Sequence, residues 1–182
     1  MDTLKNAVLI VMLVISSYLS VGASNSKKEI DTLPGLHLKG RVVKTSGPAS
    51  DLCKVELFLN GKVIDSLFIS DSRVFDLKLV RNNTYTIRIA KKNHVAKLVV
   101  VNTEFPDEIN DLLEFSFKTD LMSTRAADDL NKDALDFPAA IIHFEPKHEL
   151  FVYNEAYTRE IKREIYSQPD KNKLVANASK SN

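Results

Sequence analysis

The chain has 182 residues, of which 44% are hydrophobic and 27% are charged, a balance typical of a globular protein and not of a disordered one. Its formal net charge is only +1, which excludes the strongly basic surface that binding to nucleic acid or anionic lipid needs. We therefore expect no nucleic-acid partner.

The amino terminus carries the three-part pattern of a secretory signal peptide. Lys5 supplies a basic start, and residues 7–15 form an unbroken apolar run. Val21-Gly22-Ala23 then provides the small residues that a signal peptidase recognises at its cleavage site. We predict a signal peptide over residues 1–23 and a polar leader over 24–35. The mature protein is then exported, periplasmic or secreted, without an integral membrane span. The alternative is an uncleaved amino-terminal anchor, for which the apolar run is short.

Short alternating apolar and polar segments, separated by turn residues, fill most of residues 36–121. This pattern predicts a mainly β domain, an antiparallel β-sandwich of about seven strands. The predicted strands cover residues 36–43, 54–59, 62–64, 74–79, 84–89, 96–101 and 114–119.

Asn60-Gly61 lies between two apolar runs and predicts a two-residue hairpin, because a type I′ turn needs positive φ at both central residues. Such a hairpin places Glu56 opposite Asp65, where like charges destabilise the pair. Either nearby lysines screen the two carboxylates on a solvated face, or the loop is longer than two residues.

The lone cysteine, Cys53, alternates with Val55, Leu57 and Leu59. This spacing places it on the apolar face of a strand, so we predict a buried, inert thiol and not a nucleophile.

Residues 122–168 differ in character and form a predicted extension packed on the sandwich. It comprises a polar, acidic loop, a hairpin within residues 137–153, and a short α-helix capped by Asn154. Tyr157, Ile161 and Ile165 form one apolar stripe on that helix. We expect the stripe to pack within the domain; the alternative is a docking surface for another protein. Residues 169–182 are a predicted disordered tail.

Five short segments of this pattern match the strands and turns of a known domain family. They are Gly40-Arg41-Val42, Val55-Glu56-Leu57, Asp71-Ser72-Arg73-Val74-Phe75, Tyr85-Thr86-Ile87 and Lys91-Lys92-Asn93-His94. With these segments the chain resembles the carboxypeptidase regulatory-like domain, a transthyretin-like (prealbumin-like) β-sandwich of exported bacterial envelope proteins. Arg73 stands where that family has Gly, and Asn93-His94 where it has Gly-Tyr. The resemblance implies a non-catalytic accessory domain.

Two groups of polar residues suggest metal chemistry. Asp129, Asn131 and Asp133 match the first half of a calcium loop, but Ala134 and Ala140 stand where that loop needs Gly and Glu. An acidic surface loop or the start of a helix accounts for them better.

His143 and Glu145 share one face of a predicted strand, with His148 across the turn. Together with Asp133 they are the candidates for a small hydrolase or a metal-binding protein, although no metal-ligand spacing supports that reading. We expect a solvated hairpin there.

The sequence holds no Gly-x-Ser-x-Gly elbow and no Gly-rich phosphate loop. We therefore predict a non-catalytic exported binding or structural module of the cell envelope, with a protein or envelope partner and without a catalytic, cofactor or metal site. Asn82 and Asn177 begin glycosylation sequons, whose use depends on the source.

Overall fold

A computed structural model describes residues 35–43, 51–70 and 72–167. The predicted signal peptide, nearly all of the polar leader, Asp71, the Asn177 sequon and the predicted disordered tail lie outside the described residues. Among the described residues, no helix is long and apolar enough to cross a membrane.

Nine strands and three short helical segments make up the described chain. The strands are β1 (Gly35–Val42), β2 (Cys53–Leu59), β3 (Lys62–Ile69), β4 (Val74–Val80), β5 (Thr84–Ala90), β6 (Lys97–Asn102), β7 (Leu112–Thr119), β8 (Ala140–Glu145) and β9 (Leu150–Tyr153). The helical segments are a 3₁₀ helix (Thr124–Ala127), α1 (Lys132–Leu135) and α2 (Glu155–Ile165).

The strands form two sheets, which confirms the predicted mainly β sandwich. The small sheet has three strands in the order β4-β1-β7, and the large sheet has six in the order β3-β2-β5-β6-β8-β9. Two neighbouring pairs are parallel, β1 with β7 and β6 with β8, although the alternation suggested antiparallel neighbours throughout. Alternation reports which face of a strand is buried and carries no information about the direction of its neighbour.

The core lies between the sheets, where the alternation of each strand directs apolar side chains inward. In β4, Phe75, Leu77 and Leu79 are buried while the residues between them are exposed. Cys53 is fully buried on the inner face of β2, as predicted.

The Asn60-Gly61 hairpin forms with positive φ at both residues, 51° and 74°, as the type I′ turn requires. The predicted opposition of Glu56 and Asp65 is wrong. Glu56 lies opposite Ser66, because Ile64 is an extra residue between the pairs Leu57–Asp65 and Phe58–Val63. The loop keeps two residues, and the bulge separates the carboxylates.

The turns at Arg73 and Asn93 differ in which residue takes the left-handed conformation. Asn93 adopts φ 58°, a left-handed conformation that Asn tolerates. Near Arg73 the left-handed residue is Ser72, with φ 66°, and Arg73 itself is not in that region. The arginine is therefore not strained by standing where the resembling family has glycine.

The carboxy-terminal hairpin belongs to the large sheet, since β8 pairs with β6 and β9 completes the edge. Phe105 covers its inner face, with ring centroids 5.7 Å from Phe144 and 6.0 Å from Phe151. At the seam between the sheets, Phe115 of β7 meets Tyr153 of β9 edge to face at 5.3 Å.

Helix α2 packs within the domain, as predicted. Asn154 caps it by accepting a hydrogen bond from the Tyr157 backbone N–H at 3.0 Å. Ile161 is buried, and α2 contacts β8 and α1. The Tyr157 hydroxyl donates to the Pro138 carbonyl at 2.8 Å, which fixes the apolar stripe toward the sheet.

Candidate functional site

The residues of the calcium-like pattern lie at the start of a helix. Asn131 is the N-cap of α1, and its backbone N–H donates to the Ile165 carbonyl of α2 at 3.1 Å. Asp133 occupies the first turn of α1 and is exposed, as is Asp129. Across residues 35–43, 51–70 and 72–167, no group of three or more His, Cys, Asp or Glu side chains is arranged to hold a metal ion.

The β8–β9 hairpin brings together His143, Glu145 and His148, while Asp133 lies apart on α1. His143 and Glu145 alternate with the buried Ile142 and Phe144, so they share the outer face of β8, as predicted. His148 lies in the turn, with its Nδ1 2.5 Å from Glu145 Oε2.

This hydrogen bond from His148 lowers the pKa of Glu145 below its ordinary value. A carboxyl group with a lowered pKa stays ionised at neutral pH and is a poor general acid. The contact therefore serves to hold the turn between the two strands.

A cleft opens beside α2, between the helix and the end of the large sheet. Its volume is about 280 Å³, and apolar residues such as Leu98, Met122 and Ile165 dominate its lining. At its border, Lys97 Nζ donates to Asp120 Oδ1 at 2.9 Å, and this hydrogen bond lowers the pKa of Asp120. None of Asp133, His143 and Glu145 lines this cleft.

The most distinctive exposed feature is β3, the last strand of the large sheet on the side opposite β9. Within the described part of the chain, β2 is its only neighbour. Both faces of β3 are exposed along most of its length, and only Ile69 at its end is buried. We call this strand the β3 edge.

The β3 edge presents large apolar side chains to solvent. Val63 and Ile64 are each 51% exposed, and Phe68 is 65% exposed. Leu52, 49% exposed, precedes β2 beside the same end of the strand. Val63 and Ile64 lie at the hairpin end of β3 and Phe68 near its other end. Exposed apolar side chains grouped on one strand mark an interaction site more often than isolated exposed residues do.

The backbone of the β3 edge is also available. An edge strand has unpaired N–H and C=O groups along one side, and these groups can pair with an added strand. Natural edges are often protected by a bulge, and here the bulge lies at Ile64, next to the hairpin turn. Residues 65–69 pair with β2 without a register shift, so the backbone N–H and C=O groups on their other side keep the regular spacing that an added strand needs.

The β3 edge was not predictable from the sequence pattern, which indicates a strand only over residues 62–64 and gives no role to the apolar residues 67–69. Ile69 is buried, Leu67 is half-buried, and Phe68 is exposed on the outer face opposite Lys54. This arrangement depends on how β3 pairs with β2. A local pattern does not contain that information.

No protein-family model matches this chain, and no curated protein matches it. The resemblance to the carboxypeptidase regulatory-like domain therefore rests on the quoted strand and turn residues.

Proposed function

We propose that this protein is a non-catalytic, exported accessory module of the cell envelope, and that it binds a protein partner at the β3 edge. The observation that carries the proposal is the exposure of Val63, Ile64 and Phe68 on a strand whose outer side pairs with no other strand among the described residues. Full burial of such a side chain contributes about 1.5–3 kcal/mol, and because these side chains are already partly buried, covering each of them contributes roughly half of that to binding of an added strand.

The geometry of an edge strand defines the chemistry of this partner. It is an extended segment whose backbone pairs with residues 65–69 and whose apolar side chains alternate to meet Phe68 and its neighbours. The exposed Lys62 and Asp65 favour opposite charges at the corresponding positions.

Export is the second element of the proposal, and its support is the signal-peptide pattern at residues 1–23 together with the resemblance to an envelope domain. The mature protein then begins near Ser24. Intact-mass measurement of the exported fraction tests this, because a mass that includes Met1 would contradict cleavage.

The decisive experiment for the β3 edge combines capture and hydrogen exchange. Mature protein captures its partner from its own envelope fraction, and the exchange of backbone amides is compared with and without the purified partner. We expect protection on β3 and loss of capture in Ile64→Ser/Phe68→Ser. Leu150→Ser, which removes a 45% exposed side chain from the opposite edge, is the matched control and retains capture.

Partner binding without protection of β3, or equal loss of capture in both variants, would refute strand addition at this edge. We do not propose a hydrolase or metal-binding function for Asp133, His143 and Glu145. Glu145 already pairs with His148, and Asp133 lies on a different element.

A further inference from the structure

The outward face of the small sheet ends in a shallow depression of about 540 Å³. Three cationic side chains, Lys39, Arg41 and Lys118, border it, together with Ser116 and Tyr153. The depression lies across β1 and β7 and is separate from the β3 edge, which belongs to the other sheet.

Next to the depression on the same face, and at Lys39 on its border, cations and carboxylates are matched. His37 Nε2 lies 3.1 Å from Asp76 Oδ1, and Lys39 Nζ donates to Glu114 Oε1 at 3.1 Å. The hydrogen bond from Lys39 lowers the pKa of Glu114, which therefore stays ionised as the partner of that lysine. The positive charge of Lys39 is therefore largely balanced by the Glu114 carboxylate.

Arg41 and Lys118 break this pattern. They lie directly opposite each other in the parallel pairing of β1 and β7, and both are exposed. Neither forms an ion pair or a side-chain hydrogen bond with another residue of the described chain. Neighbouring strands are only about 4.8 Å apart, so the two positive charges repel each other.

A general excess of positive charge does not explain this pair, because the net charge of the whole chain is +1. Two adjacent cations that have no carboxylate partner, on the border of a depression, provide a place where an anion can bind to both. The guanidinium presents a planar fork of donors suited to an oxyanion, and the ammonium adds a point charge.

We propose that Arg41 and Lys118 form a binding site for an oxyanion, the phosphate or carboxylate group of an anionic ligand. The Ser116 hydroxyl and the Tyr153 phenol border the site and supply neutral donors. Burial raises the pKa of Tyr153, so its phenol keeps its proton and remains able to donate. Binding of the anion also removes the repulsion between the two cations, which couples occupancy to stability.

The test is a ¹⁵N–¹H NMR titration of the mature protein with inorganic phosphate, held at constant ionic strength with sodium chloride. We expect saturable shifts at the amides around residues 39–41 and 116–118. In Arg41→Gln and in Lys118→Gln the apparent affinity falls about tenfold, as loss of one charged hydrogen-bonding group predicts. The control Lys92→Gln removes an exposed cation that does not border the depression and leaves the affinity unchanged.

Thermal unfolding gives a second readout that does not depend on the amide shifts. Phosphate raises the melting temperature of the wild type and of Lys92→Gln, and raises that of Lys118→Gln by less at the same phosphate concentration, because this variant binds phosphate about tenfold more weakly. Equal responses of all variants, or identical shifts on adding sodium chloride alone, would overturn the site.

Acetate in place of phosphate distinguishes the two sources of the oxyanion. Tighter binding of phosphate assigns the site to a phosphate-bearing ligand, and tighter binding of acetate assigns it to a carboxylate. Either result supports oxyanion binding, whereas no saturable shift with both anions contradicts it. A negative result for the oxyanion site would leave the proposal for the β3 edge unaffected, since the two surfaces share no residue.

Discussion

The ring of Phe75 lies against the backbone of Gly40, and a Cβ atom built on Gly40 would come within 2.1 Å of Phe75 Cζ. Gly40 is a buried position on the inner face of β1, directly opposite Phe75 on β4. The ring, itself 2% exposed, uses the space that a side chain at residue 40 would need. The first glycine of the resemblance is therefore a packing requirement of this core.

We expect Gly40→Ala to destabilise the fold by about 1–3 kcal/mol, because the methyl group forces the buried ring to move. Phe75→Leu in the same chain should recover part of that loss, since it removes the ring atoms nearest to the new methyl group. Denaturant unfolding of the two single variants and the double variant measures this coupling. Strictly additive effects would show that the contact does not limit substitution at Gly40.

Ile161→Ala should lower the free energy of unfolding by about 2–3 kcal/mol, because Ile161 is the buried residue through which α2 packs. Glu164→Ala, on the exposed face of the same helix, should change it by less than about 0.5 kcal/mol. Thermal unfolding of both variants tests the difference. An unchanged midpoint for Ile161→Ala would mean that the helix packs weakly in solution.

The Cys53 thiol should react slowly with a thiol reagent in the native protein, because the residue is fully buried. The matched control is Leu52→Cys in a Cys53→Ser background, which moves the thiol to a neighbouring position that is 49% exposed. Labelling followed by mass spectrometry should show fast reaction only at residue 52. Comparable rates at both positions would place the inner face of β2 in contact with solvent.

Acid should weaken the fold through Glu56, which is 10% exposed and bridges Lys54 at 2.6 Å and Arg88 at 2.8 Å. The hydrogen bonds from Lys54 and then Arg88 lower the pKa of Glu56 from its ordinary value of 4.5. A lowered folded-state pKa contributes stability above that ordinary value, and the contribution disappears as the pH falls through the folded pKa.

Glu56→Gln should therefore be less stable than the wild type near neutral pH, and the difference should shrink in acid. Denaturant unfolding at a series of pH values below 6 measures this convergence, with the exposed Glu108→Gln as the control. A difference that stays constant with pH would assign the loss to packing and not to the ionised bridge.

The elements of this fold were largely predictable, and their arrangement was not. Alternation located the buried faces of β4 and β5, Asn60-Gly61 located the hairpin, and Asn154 with the stripe at Ile161 located α2. Each of these is a local property, fixed within a few residues by turn conformation, capping or periodicity.

What the sequence could not predict depends on residues far apart in the chain. The bulge at Ile64, the parallel neighbours of β1 and β6, and the uncovered face of β3 are consequences of how the two sheets meet. The juxtaposition of Arg41 and Lys118 likewise needs the register between two strands that are distant in sequence. No spacing rule connects those two residues.

The position of β1 has a consequence for the order in which the chain can fold. β1 is the first described strand and the central strand of the small sheet, where Leu36 pairs with Leu79 on one side and with Leu113 on the other. A chain synthesised from its amino terminus cannot complete this sheet until residue 119 has emerged, because β7 supplies one whole edge of β1. Closing such long loops makes folding slow compared with local hairpin formation. Four of the six strands of the large sheet precede β7 in the chain, so the large sheet can begin to form during synthesis before the small sheet can be completed.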